Sequence, residues 1–254
     1  MAKSKNTSKP EKLEFTNLKV FPQIVHSVFT RRGGVSNHPF DSLNVSFSIG
    51  DKEAFVAENR SRILHVLDRN CTAVFIDQVH EDNIIVIKDN KIEKFLYKAD
   101  GVITNIRGKL LFIQVADCQS VMMFDPEKNV IANVHSGWRG SVKNIIGKCV
   151  DTMREEFGSN PGHIIAGISP SLGPCCAEFI NYKTELPENF WKFKTKESFN
   201  FDFWEISFYQ LLQKGVRADN IENMNICTKC FSKTFFSYRK ENLTGRFACV
   251  IGLI

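Results

Sequence analysis

The densest run of chemically capable side chains is Ala116-Asp117-Cys118-Gln119-Ser120, followed by Val121 to Asn129 and then by Val134-His135-Ser136-Gly137-Trp138-Arg139-Gly140. Two apolar runs flank turn residues at Asp125 to Asn129, which predicts an antiparallel hairpin. With the turn centred near residue 127, Ser120 is expected opposite Val134 and Cys118 opposite Ser136. Cys118 and His135 then meet at the open end of the hairpin, where paired side chains on one face lie about 5 Å apart. A thiolate beside an imidazole has two uses, as metal ligands or as a nucleophile with its base. A single cysteine at a strand end is more often plain core. Asp117 and Gln119 argue against that here, because a core strand gains nothing from three consecutive polar or reactive residues. His80 adds a third donor, since Asp77-Gln78-Val79-His80 ends an apolar run with polar groups where a sheet meets a loop. His, Cys and His leave a fourth zinc position open, the pattern of a catalytic site.

The elements that must position these residues are an α/β (α+β) set: a mixed β-sheet sandwich core with helices packed outside, in a single domain. Strands are expected at Phe21 to Phe29, Thr72 to Asp77, Ile84 to Ile87, Gly101 to Thr104, Leu110 to Val115, Val121 to Asp125, Val130 to Val134 and Phe247 to Ile254. Asp51 is expected to cap a helix running to about Asp68, with Asn59 and Arg60 in its middle. Apolar residues from Val142 to Phe157 recur at helical spacing until Gly158 stops them. Asp202 and Glu205 have capping-box spacing for a helix that ends near Gly215.

Residues 1–12 read as a disordered polar tail and 13–254 as one catalytic domain. The net charge of +5 leans on four lysines in that tail against one glutamate, so the folded part is close to neutral. No basic stripe suited to nucleic acid is evident. The tail lacks the apolar stretch of a secretory signal, and no run approaches the roughly 18 apolar residues of a membrane span. A cytoplasmic location is expected, with no membrane partner. Reduced thiols follow, so the eight cysteines are not read as a disulfide framework.

From about residue 20 onward the chain resembles the YfiH-like or laccase-domain family, also called polyphenol oxidases, peptidoglycan-editing factors and purine nucleoside phosphorylases. The motifs are Arg32-Gly33-Gly34-Val35-Ser36, Leu43-Asn44, Glu58-Asn59-Arg60, Gln78-Val79-His80, Ala99-Asp100-Gly101, Ala116-Asp117-Cys118, His135 to Gly140, Gly173-Pro174-Cys175-Cys176, Cys227-Thr228-Lys229-Cys230, Phe236-Ser237-Tyr238-Arg239 and Thr244-Gly245-Arg246. The resemblance implies zinc on His80, Cys118 and His135. It implies phosphorolysis of adenosine, inosine, guanosine and S-methyl-5′-thioadenosine, and hydrolytic deamination of adenosine, so the partners are purine nucleosides and phosphate. Cys118, Asp117 and Arg60 are the expected catalytic residues, with Asp117 a candidate for handling protons. Asn44, Arg60, Gln78 and Arg139 are expected at substrate or phosphate. The chain departs from the family at Gln119-Ser120, usually an apolar residue and Pro, and at Ser136, usually Ala, which alters the pocket wall beside Cys118.

Arg139-Gly140 is expected to precede a helix starting near Ser141, whose free N–H groups would assist Arg139 in holding phosphate. A mid-helix Arg60 is usually just solvated, and only its motif singles it out. Cys227 and Cys230 have zinc-knuckle spacing, but Cys175-Cys176 lacks the usual gap for a second ligand pair, so core packing is expected. Six histidines are too few for a multicopper oxidase. Two alternatives use the same residues. One is a metal-free hydrolase or amidase built on Cys118 and His135, acting in peptidoglycan editing. The other is a copper-binding, polyphenol oxidase-like protein with Met122 or Met123 as a distant axial ligand.

Overall fold

Alternation of side chains along the strands sorts them into two mixed sheets in the computed structural model, which describes residues 9–67, 71–89, 96–196 and 198–254. In chain order the strands are β1 (Lys12–Leu13), β2 (Ile24–Phe29), β3 (Thr72–Val74), β4 (Ile84–Ile87), β5 (Gly101–Thr104), β6 (Lys109–Val115), β7 (Gln119–Asp125), β8 (Val130–Ser136), β9 (Ile165–Ile168), β10 (Ile221–Asn223) and β11 (Phe247–Leu253). One sheet has the order β1-β2-β11-β6-β3 and the other β10-β9-β7-β8-β5-β4.

The period of two assigns each face. On β6, Leu111, Ile113 and Val115 point into the core between the sheets, while Leu110 and Phe112 pack outward with Ile63 of the helix Glu53–Leu67. On β7, Met122 and Phe124 face the inter-sheet core, and Val121 and Met123 meet Ile146, Cys149 and Val150 of the helix Ile145–Phe157. The result is helix on sheet on sheet on helix, as the sandwich reading anticipated. Asn133 ties the sheets across that core, donating to the carbonyls of Leu111 at 2.9 Å and Cys249 at 3.0 Å.

Several boundaries move. Lys12–Leu13 pairs with β2, and Glu11 bonds both Arg32 and Thr30, so residues 11 and 12 belong to the folded part, while residues 1–8 of the expected tail lie outside the described residues. The first helix starts at Glu53, and the Asp51 carboxylate is held by Ser36 and Asn44 and by the Lys52 N–H. Its expected end at Asp68 lies outside the described residues. Asp202 caps the helix Phe203–Gln213 as expected, accepting from Trp204 and Glu205 N–H at 3.0 Å each. The helix expected from Val142 is two helices, Trp138–Val142 and Ile145–Phe157, separated by Asn144 in a left-handed conformation with φ 57°. Apolar spacing continues across the break, which is why periodicity does not reveal it. Among the described residues no helix is long and apolar enough to cross a membrane.

Candidate functional site

The same alternation aims the chemistry. Phe124, Met122 and Ser120 share one face of β7 with Cys118 just beyond its start, and Ile131, Asn133 and His135 share the inward face of β8. Cys118 and His135 therefore emerge at one rim of the inter-sheet core. The pairing itself corrects the expectation by one residue: Ser120 lies opposite His135 and Gln119 opposite Ser136. Four residues, Pro126 to Asn129, close the loop, with Asn129 at φ 51°, so the turn is centred between residues 127 and 128. The slip puts Gly137 next to Cys118 without separating Cys118 from His135.

His80 reaches the rim from the loop after β3, with φ 61°. Its ring stands edge-on to that of His135, centroids 4.7 Å apart. The donor atoms of His80, Cys118 and His135 all lie within 4.8 Å of one another. Asp100, fully buried at the start of β5, organises them. It accepts from the backbone N–H of Val79, His80 and Glu81 at 3.2, 3.0 and 2.8 Å, and pairs with His135 Nδ1 at 2.7 Å. A carboxylate on Nδ1 fixes the proton there and leaves the Nε2 lone pair available to a ligand. Sequence reasoning missed this role; the signal was a lone acid before an apolar strand in Ala99-Asp100-Gly101.

Burial would raise the Cys118 thiol, but the neighbouring His135 and His80 outweigh it and hold it down at about 6. Burial would likewise lower His135, and the Cys118 thiolate and Asp100 raise it to about 9. Without an ion, each partner thus favours the charged form of the other, thiolate beside imidazolium. With one, two imidazoles and a thiolate make a donor set suited to zinc or copper.

Gly137 closes the set from the side. A Cβ there would lie 3.1 Å from Cys118 Sγ and 3.3 Å from His80 Cδ2, while its backbone at φ −78° suits any residue. Gly137→Ala is therefore expected to weaken metal binding roughly tenfold or more through the ligands alone, with secondary structure unchanged. Competitive chelator titration beside circular dichroism checks this.

The cluster lines a cavity of about 710 Å³ whose walls include Arg60, Gln78, Asp117, Arg139 and Arg246. Arg60 lies between Phe75 and Phe47, 3.9 and 4.4 Å from their ring centroids, and donates Nε–H to the Val45 carbonyl at 2.8 Å. Burial lowers its pKa to about 10, and no carboxylate pairs with it among the described residues. Arg246, missed as a site residue, is lowered by burial too, with Cys118, Asp117 and Tyr238 opposing that shift. Arg139 differs from expectation: it sits inside the helix Trp138–Val142, not ahead of one, and is exposed over the Trp138 ring.

Other expected residues act through the wall. Gln78 exchanges both amide ends with the backbone of Gln114, at 2.9 and 2.8 Å. Asn44 is fully buried outside the cavity lining, and positions Ser46, Asp51 and the Arg246 N–H. Asp117, at φ 89°, accepts from Thr228, Ser237 and the Arg239 N–H at 2.6 to 2.7 Å, so its oxygens are committed to holding those loops. Gln119 docks the helix Phe203–Gln213 by bonding the Phe203 carbonyl and Ser207. Met122 and Met123 are fully buried in the two cores on opposite faces of β7.

Residues 25–254 match the family described as multi-copper polyphenol oxidoreductase laccase. The chain belongs to that family. Within it, the chain is 31% identical over 232 residues to purine nucleoside phosphorylase YfiH of Escherichia coli, covering 89% of this chain and 92% of that one. It is 29% identical over 250 residues to purine nucleoside phosphorylase YlmD of Bacillus subtilis, covering 91% and 89%. The crystal structure of Bacillus licheniformis hypothetical protein YfiH superposes with a TM-score of 0.84 at 30% identity, covering 91% of this chain and 93% of that one. In this laccase-family chain, His80 and His135 are the only histidines in the metal-capable clusters of the described residues. That is far from the histidine-rich copper cluster the family's description suggests.

Proposed function

We propose that the chain is a zinc-dependent purine nucleoside phosphorylase acting on adenosine, inosine, guanosine and S-methyl-5′-thioadenosine, with hydrolytic deamination of adenosine as a second reaction. The observation that carries the reading is a His-Cys-His donor set opening into one cavity with desolvated arginines and exposed aromatic faces. The names of the YfiH and YlmD relatives support the same substrate class. His80, Cys118 and His135 would hold the zinc, with Asp100 fixing the His135 tautomer. When bound, zinc supplies Lewis-acid polarisation beside the purine.

The chain's own side chains do the rest. Phe47, Trp138 and Tyr238 offer flat apolar faces for a purine in a site of suitable size. Arg60 and Arg246 supply positive charge where it is least screened by water, which favours them over exposed Arg139 for phosphate. Phosphorolysis then forms a bond from a phosphate oxygen to C1′ as the C1′–N9 bond breaks, and the purine leaves with the bonding pair and gains a proton.

Arg60→Met keeps the aliphatic packing between Phe47 and Phe75 and removes the charge. It is expected to raise the phosphate concentration needed for inosine cleavage by about ten- to a hundredfold, the value of a charge-assisted contact, and to spare adenosine deamination, which uses water. Parallel assays on one protein batch decide it; an equal fall in both activities would assign Arg60 to the purine or to the fold. The Cys118 thiolate paired with His135 also suits a metal-free hydrolase, which would keep full activity after chelation. Copper on the same donors would colour the protein.

A further inference from the structure

Two pairs of thiols far apart in sequence meet outside the cavity lining. Sγ of Cys175, Cys176, Cys227 and Cys230 all lie within 4.8 Å of one another. The missing gap between Cys175 and Cys176 does not prevent this. The Gly173 carbonyl accepts from Cys176 and Ala177 N–H at 2.9 and 3.0 Å, and this tight turn presents each adjacent thiol to Cys230 at 3.6 Å. The second pair is a knuckle, closed by Phe231 N–H on the Cys227 carbonyl at 3.0 Å. The backbone N–H groups of Gly173 and Cys230 point at Cys227 Sγ, as donors do around a metal-bound thiolate. Of the pair expected to pack in the core, Cys227 is buried as expected and Cys230 is exposed, beside the equally exposed Cys175, so the packing role is corrected for Cys230 alone.

We propose that these four cysteines form a second, structural zinc site, distinct from the His-Cys-His centre. A tetrahedral ion with zinc–sulfur bonds of about 2.3 Å spaces its thiolates by about 3.8 Å, close to the two separations of 3.6 Å. A polynuclear iron–sulfur cluster would spread four cysteines over several irons and hold them further apart. Four protein ligands close the coordination sphere, which leaves no position for substrate. Each thiol gives its proton to solvent as it binds. The ion would cross-link two loops that already exchange bonds, Ser171 N–H to the Ile226 carbonyl at 3.1 Å and Thr228 N–H to the Ser171 carbonyl at 2.9 Å. Thr228 then holds Asp117, the residue before Cys118. The second ion thus braces the cavity wall behind the first.

The test is metal content of the full chain purified under reducing conditions. The wild type is expected to hold two zinc ions per chain, Cys230→Ser one, and His135→Ala one, which separates this site from the other. Should Cys230→Ser not fold, cobalt(II) titrated into metal-free His135→Ala supplies the second readout. The proposal predicts the intense visible and thiolate-to-metal bands of a tetrahedral tetrathiolate. One zinc in the wild type with all of it retained in Cys230→Ser, a spectrum lacking thiolate bands, or disulfides among the four cysteines in the native protein would overturn it.

Discussion

His135→Ala is expected to lose the metal of the His-Cys-His centre, and with it phosphorolysis and deamination by about a thousandfold or more. Loss of an outer-shell partner alone typically costs 10- to 100-fold in metal affinity or activity, and a first ligand should cost more. Among the described residues only three His, Cys or carboxylate donors converge there, so two remain, and neither Met122 nor Met123 lines the cavity. Cys118→Ser should behave alike, because a hydroxyl is a poor substitute for a thiolate that its neighbours hold at about 6. Elemental analysis with nucleoside assays checks both variants. Full metal with full activity in either would remove the centre from the account.

Asp100→Asn is expected to cost about 10- to 100-fold in metal affinity and about 1–3 kcal/mol in stability, though the residue touches neither ion nor substrate. Every group facing the Asp100 carboxylate is a donor: three consecutive backbone N–H groups and His135 Nδ1. An amide must turn its NH2 toward one of them. Burial raises the Asp100 pKa, but His135 and the Glu81 and His80 N–H groups more than offset it and hold it below the ordinary carboxylate range. Its stabilising contribution is therefore present at neutral pH and lost as pH falls through the lowered value. Denaturant unfolding of both proteins at neutral and acid pH should show the gap between them narrowing as the medium becomes acid.

The parts of this arrangement that local patterns encode were legible in the sequence. The continuous apolar run from Leu110 to Ile113 marks a strand with two buried faces, and Asp202 marks a helix start. The turn at Asp125 to Asn129 folds Cys118 back toward His135. Register was less legible, because one residue in the turn shifts every pair, and four loop residues with Asn129 in a left-handed conformation are not distinguishable from three by composition. Least legible were contacts between distant segments. A lone acid before an apolar strand marks Asp100 as unusual, but its partners, residues 79–81 and His135, lie too far off in sequence to be read from it. Nor does Cys175-Cys176, read alone, show that a turn will deliver both thiols to Cys230. Arg60 illustrates the same limit: at its helix position it reads as solvated, and only the tertiary neighbours Phe47 and Phe75 reveal its burial.

The most direct measurement of the central claim is product analysis on inosine with zinc-loaded protein, with and without phosphate, beside Cys118→Ser. The account predicts hypoxanthine and ribose 1-phosphate in equal amounts, formed only with phosphate and lost in the variant. Free ribose at a phosphate-independent rate, or undiminished cleavage by Cys118→Ser, would contradict it.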